Sequence, residues 1–126
     1  MKLPEDLFFS KTHEWVRYEQ DGTAFIGLTD HAQEALGDVA FINLCDEGES
    51  FEFGDVIGDI ESIKAVTDVY TPVSGTVTHV NDELLDAPEK INSDPYGSWL
   101  VEFEGVARNE ELLDAEGYEK FLAETE

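Results

Sequence analysis

Apolar and polar positions alternate along this chain in short runs, and Gly, Asp and Asn separate the runs. That period of two predicts strands rather than long helices. Thr12–Tyr18 and Thr23–Leu28 read as two strands joined by a hairpin turn at Asp21-Gly22. Thr29–Leu36 then changes period and predicts a short helix. Ala32, Ala35 and Leu36 give it an apolar stripe, Asp30 and Gln33 have capping-box spacing, and Gly37 ends it. Val39–Leu44 returns to strand. Gly48 and Gly54 punctuate a loop and a short strand around Ser50–Phe53.

Val56–Ser62 and Ala65–Tyr70 are β-branched runs that flank Lys64. Strands so close in sequence must be antiparallel, which puts Lys64 at a hairpin tip. The tip holds no Gly or Asn, so a primed two-residue turn is not signalled. Pro72 breaks the next run, and Gly75 allows a bend into Thr76–Val80. Asp82–Ala87 reads as a turn or short helix, 92–97 as a turn cluster, and Trp99–Glu104 as the last strand. Glu110–Leu113 and Ala115–Ala123 read as helical, with Tyr118, Phe121 and Leu122 as one packing stripe. The segments 54–60 and 74–80 resemble each other loosely, in keeping with a pseudo-twofold sandwich. The expectation is mainly β: a sandwich or barrel-like core over about residues 8–104, and a helical tail over about 109–124. No low-complexity linker divides the chain, so residues 1–126 are expected to form one domain.

Composition changes this picture in one respect. Thirty acids against seven bases give a formal charge of −23. Nucleic acid is disfavoured as a partner, because binding phosphates needs clustered cations. An anionic membrane surface is disfavoured for the same reason. The charge fits partners with basic docking faces, and equally fits plain solubility or life in a salty cytoplasm. No apolar run approaches the roughly 20 residues of a membrane span, and the N-terminus lacks a signal-peptide pattern. A soluble cytoplasmic monomer is expected, or a matrix protein after transit-peptide removal.

Few motifs carry chemistry. Residues 13–17 begin like a zinc-protease helix, but Arg17 stands where the second histidine belongs, and the segment reads as strand. His13, His31 and His79 lack metal-ligand spacing. No phosphate loop and no nucleophile elbow are present. Cys45 is the only cysteine. It has no basic neighbour to activate it and reads as a small residue near the core edge. No catalytic or metal-binding residue is therefore assigned. Lys64 stands out instead. It sits between Ile63 and Ala65, far from any other basic residue, as an isolated amine at an exposed strand junction. An ordinary surface lysine would look similar, but this position suits covalent acylation by another enzyme.

The residues around Lys64 belong to a wider pattern. It comprises His13-Glu14-Trp15, residues 27–33 from Gly27 to Gln33, Glu61-Ser62-Ile63-Lys64-Ala65, Pro72-Val73-Ser74-Gly75, and residues 91–97 from Ile91 to Gly97. In this order, over nearly the whole length, the chain resembles the glycine cleavage system H proteins, which are lipoyl carriers. Biotin carriers typically flank their lysine with methionines, whereas the only Met here is Met1. Lipoyl domains of 2-oxoacid dehydrogenases usually show Asp before the lysine, where this chain has Ile63.

The resemblance implies a sandwich of two antiparallel sheets, with lipoate amide-linked to Lys64 and Glu61, Ser62 and Ala65 as its modification context. It implies a shuttle rather than an enzyme. The partners would be a glycine decarboxylase (P protein), an aminomethyltransferase (T protein), a dihydrolipoyl dehydrogenase (L protein) and lipoate-attaching enzymes. The arm would carry an aminomethyl group, whose amine is cationic when protonated. A carboxylate cleft that excludes water would protect it. The resemblance makes Glu14 the first candidate for that carboxylate, with Asp68 second, although either could be a solvated surface acid. It also places 92–97 near the arm cleft. A carrier serving sulfur transfer or lipoate relay is the alternative, and a bare-lysine interaction module is a more distant one.

Overall fold

The structure is a computed structural model and describes residues 3–125. Two antiparallel sheets face each other. The larger contains β1 (Phe8–Phe9), β2 (Glu14–Tyr18), β3 (Ala24–Leu28), β5 (Ser50–Phe51), β8 (Ser74–Val80) and β9 (Val101–Ala107), in the order β1-β2-β3-β9-β8-β5. The smaller contains β4 (Val39–Leu44), β6 (Val56–Ser62) and β7 (Val66–Tyr70), in the order β4-β6-β7. Among the described residues four helices decorate them: α1 (Asp30–Leu36), α2 (Asp82–Asp86), α3 (Lys90–Ser93) and α4 (Ala115–Thr125). None of these is long and apolar enough to cross a membrane. The loosely similar segments 54–60 and 74–80 contribute β6 and β8, one to each sheet.

The alternation explains the core. Val16, Ile26, Val101 and Phe103 face inward from the large sheet and meet Ile42, Ile60 and Val69 of the small one. Each side chain so buried contributes roughly 1.5–3 kcal/mol. A second cluster fills the opposite face of the large sheet. There Phe9 and Trp15 are fully buried with Tyr118 of α4, and Phe9 stacks on Tyr118 with ring centroids 4.8 Å apart. Trp15 pairs with Gly27 across β2 and β3, and a Cβ at position 27 would lie 2.5 Å from the indole. Only glycine leaves room for that ring.

Several expectations shift at the element ends. The helix cap is Thr29, whose hydroxyl accepts from the Ala32 amide at 3.2 Å. Asp30 is already in the first turn and accepts from Gln33 Nε2 at 2.8 Å. The capping-box spacing therefore produces a side-chain pair inside the helix, one residue past the cap. Thr12 and His13 lie outside β2, because His13 takes φ 72° and turns the chain. Residues 110–113 are not helical: Leu113 exchanges backbone hydrogen bonds with Phe9, and this bridge extends the sheet. Lys90–Ser93 forms a short helix where a turn cluster was expected to begin at Asn92. The last strand starts later and runs further than 99–104, ending at Ala107. The two-residue β1 carries too little sequence to be read as a strand.

Candidate functional site

The hairpin of β6 and β7 is in register from Glu61↔Val66 down to Gly58↔Val69, shifts by one residue before Val56↔Tyr70, and leaves Lys64 exposed at its tip. A side chain replaces the missing turn signal. The Ser62 amide donates to the Ala65 carbonyl at 2.9 Å, and the Ser62 hydroxyl accepts from the amides of Lys64 and Ala65, each at 3.2 Å. The Ile63 amide donates to the Asp38 carbonyl at 3.2 Å. All three tip amides are satisfied without a positive φ, which a primed turn needs. Ser62 thus shapes the hairpin tip from within the chain. Glu61 lies between Phe41 and Val66 on the outward face.

The Lys64 side chain lies along the C-terminal end of α1. A Cβ at Gly37 would lie 3.1 Å from Lys64 Cε and 3.5 Å from Nζ. Gly37 itself has φ 75° and ψ −157°, a backbone conformation that in practice only glycine adopts. Asn92 fixes this corner. Its amide group donates to the Gly37 carbonyl at 2.8 Å and to Gln33 Oε1 at 3.0 Å, and its Oδ1 accepts from the Val39 amide at 2.9 Å. The segment read from sequence as a chain reversal therefore pins the end of α1 to the start of β4. Its spacing held no signal of that, since both partners lie more than fifty residues upstream.

Beside the tip, a cleft of about 160 Å³ opens between α1 and β7. Ala32, Leu36, Ile60 and Val69 make its walls apolar, Ala65 borders it next to Lys64, and Glu14 and Asp68 both line it. Asp68 is exposed, whereas Glu14 is 1% exposed. The Glu14 carboxylate accepts from the hydroxyls of Ser10, at 2.7 Å, and Thr12, and from the Tyr70 amide at 3.3 Å. Burial pushes its pKa up to about 7, against the lowering effect of the hydroxyl and amide donors. Ser10 and Thr12 were not singled out in the sequence. Their alternation with Glu14 was the available signal: three polar side chains two residues apart, before a buried Trp.

His13 also borders the cleft. The Tyr118 hydroxyl bridges His13 Nδ1, at 2.7 Å, and Thr29 Oγ1, at 2.9 Å. Burial and the nearby His31 lower the His13 pKa, which favours a neutral imidazole there. The terminal helix thereby reaches across to hold the strained residue next to Glu14. Cys45 is elsewhere, and burial with Glu49 nearby pushes its thiol up to about 11.

This donor set fits a lipoyl group. An apolar slot suits its acyl chain and dithiolane ring, the slot begins beside the only lysine at the tip, and a carboxylate lies inside it.

Comparison with known proteins agrees. The family model described as glycine cleavage H-protein matches residues 7–125. The glycine cleavage system H protein of Lachnoclostridium phytofermentans is 51% identical over 122 residues, covering 97% of this chain and 96% of that protein. A probable glycine cleavage system H protein of Pyrococcus abyssi is 48% identical over 124 residues, covering 96% and 92%. The crystal structure of a glycine cleavage system H protein from Mycobacterium marinum superposes with a TM-score of 0.87 at 35% identity, covering 98% of each chain. With its two-sheet fold and its hairpin lysine, this chain belongs to the glycine cleavage H-protein family.

Proposed function

We propose that this chain is the lipoyl-bearing shuttle of the glycine cleavage system, with lipoate on Lys64. It takes an aminomethyl group from the decarboxylase to the aminomethyltransferase, and electrons to dihydrolipoyl dehydrogenase. It acts as a substrate of those enzymes rather than as a catalyst. The observation that carries the reading is the placing of a lone exposed lysine beside an apolar cleft that contains a buried carboxylate. When amide-linked, lipoate supplies a disulfide that accepts a one-carbon fragment and two electrons. The chain's own residues do the rest. Ser62 holds the tip open for attachment, and the end of α1 directs the lysine chain along Gly37. The cleft walls exclude water, and Glu14 holds an ammonium group. Near its pKa of about 7, Glu14 exchanges its proton easily, and a cation beside it would favour the carboxylate. Asp68 adds a second negative charge at the rim. The sulfur-transfer or lipoate-relay reading finds no support in Cys45, whose raised pKa keeps the thiol protonated.

The test is a glycine decarboxylation-exchange assay with the lipoylated chain, in parallel with intact mass. A mass increase of one lipoyl group and glycine-dependent exchange support the reading. A lipoylated chain that drives no exchange with an active decarboxylase overturns the shuttle role.

A further inference from the structure

Tyr118 stands in the middle of a buried polar chain that runs from α4 to the wall of the cleft. Its oxygen lies 2.9 Å from Thr29 Oγ1 and 2.7 Å from His13 Nδ1. Each partner has a second duty. Thr29 caps α1 by accepting from the Ala32 amide, and its own amide donates to the His13 carbonyl at 3.1 Å. His13 lines the cleft immediately before Glu14 and is the one non-glycine residue with a positive φ among the described residues. Counting protons gives the chain a direction. Each hydroxyl has one proton to donate. Thr29 is fully buried, and among the described residues the Tyr118 oxygen is the acceptor that its hydroxyl meets. Thr29 therefore donates to Tyr118, and Tyr118 donates to His13 Nδ1. The reverse order would leave the Thr29 proton buried without an acceptor, which is costly. Burial holds the phenol well above its usual range, so it keeps its proton. An Nδ1 that accepts is unprotonated, so the ring proton sits on Nε2 and the imidazole is neutral.

We infer that Tyr118 is a positioning residue for the arm cleft: its hydroxyl holds His13 as the neutral Nε2–H tautomer, so the wall beside Glu14 sets no positive charge against a bound ammonium. This rests on the reading that Glu14 holds the aminomethyl amine. The charges around His13 make such a device necessary. Glu14 and Asp68 line the same cleft and draw a proton toward the ring. A charged His13 would become their counter-ion and compete with the ammonium of the arm. Burial and His31 of α1, whose ring centroid is 4.5 Å away, oppose the charge. Asp30, Glu34 and Glu119 lie around His31 in turn. Lys11 sets its ammonium over Phe121 of α4, whose ring centroid is 6.1 Å from that of His13. The Tyr118 bond adds direction to this balance, because an imidazolium has no lone pair at Nδ1 to accept it.

The experiment compares the wild type with Tyr118→Phe, which keeps the ring stacked on Phe9 and removes only the hydroxyl. Both are also made with His13→Asn, since asparagine tolerates a positive φ and carries no charge. Nitrogen–proton correlation spectra of the imidazoles read the tautomer. Ammonia release from the lipoylated, aminomethyl-loaded proteins without tetrahydrofolate reads the cleft. The wild type should show His13 protonated on Nε2 alone at neutral pH, and Tyr118→Phe should show mixed tautomers and a raised His13 pKa. Release from Tyr118→Phe should be about threefold faster than from wild type near pH 6, where a freed imidazole is mostly charged, and should converge on it by about pH 8. With asparagine at position 13, the phenylalanine substitution should no longer change the rate. A wild-type His13 that is charged or protonated on Nδ1 overturns the inference. So does unchanged release from Tyr118→Phe. An increase that is equal at both pH values, or that persists beside asparagine, assigns Tyr118 to helix packing alone and also overturns it. Equal release from wild type and Glu14→Ala instead fails the ammonium reading, and the role of Tyr118 in the cleft falls with it even where the tautomer is as expected.

Discussion

The Tyr70 amide donates to the Glu14 carboxylate at 3.3 Å, and this bond joins the edge of the small sheet to β2 of the large one at the base of the lysine hairpin. Glu14 is therefore both a cleft group and a structural one, and its substitution acts on both.

Its pH signature follows from the raised pKa. In the unfolded chain Glu14 ionises near 4.5, and in the folded chain near 7. Between these values the folded state binds more protons, so this group lowers stability as pH rises through the window. A gap of roughly 2.5 units corresponds to about 3 kcal/mol. Urea unfolding of wild type and Glu14→Gln across pH 4–8 checks this. The difference in unfolding free energy should move toward the glutamine variant by about that amount between pH 4.5 and 7.5. Parallel curves would mean that Glu14 is solvated in the folded protein.

Lys64→Arg should keep the fold, since the exposed side chain makes no buried contact and such substitutions usually stay within about 0.5 kcal/mol. It should take up no lipoate, because a guanidinium does not accept the acyl group. Peptide mapping after lipoylation of the wild type should find the modification on Lys64 and not on Lys2, Lys11, Lys90 or Lys120. Lipoate at any of those four in place of Lys64, or on the arginine variant, would remove Lys64 from the mechanism.

Gly37→Ala should destabilise the protein by about 1–3 kcal/mol through its backbone conformation alone. It should also displace Lys64, because the new methyl would stand 3.1 Å from Cε. A nuclear Overhauser contact between Lys64 Hε and Gly37 Hα in the wild type, lost in the variant, is the direct measurement. Free rotation of the Lys64 chain in the wild type would contradict the packing.

Asn92→Ala removes three hydrogen bonds and leaves the Val39 amide without its acceptor, beside a side chain only 6% exposed. The expected cost is about 2–3 kcal/mol in urea unfolding, with faster amide exchange at Val39. A loss below 0.5 kcal/mol, on the same scale, would show that water replaces the asparagine.

Partner encounter should weaken with salt. The −23 charge attracts basic faces, and that attraction is screened beyond a Debye length of about 8 Å at physiological ionic strength. The KM of the glycine cleavage enzymes for this chain should rise with added salt while kcat changes little. A flat response would leave the charge with solubility as its main role.

The sequence by itself determined the strand runs, the mainly β class, the hairpin around Lys64 and the likeness to a known carrier family. Each is a local matter. A period of two, a Gly-bearing turn or a motif in order is written in neighbouring residues, and local sterics enforce it. What the tertiary structure decided are meetings across distance. Glu14 becomes a buried carboxylate with a raised pKa because Ser10, Thr12 and the Tyr70 amide close around it. Asn92 looks like a turn residue until Gln33, Gly37 and Val39 arrive beside it. Residues 110–113 read as helix because their spacing allows one, but pairing of Leu113 with Phe9 satisfies their backbone better. The row of Phe41, Glu61 and Val66 exists only through strand register. Burial and hydrogen-bond partners are properties of the packed chain, so no local pattern can carry them.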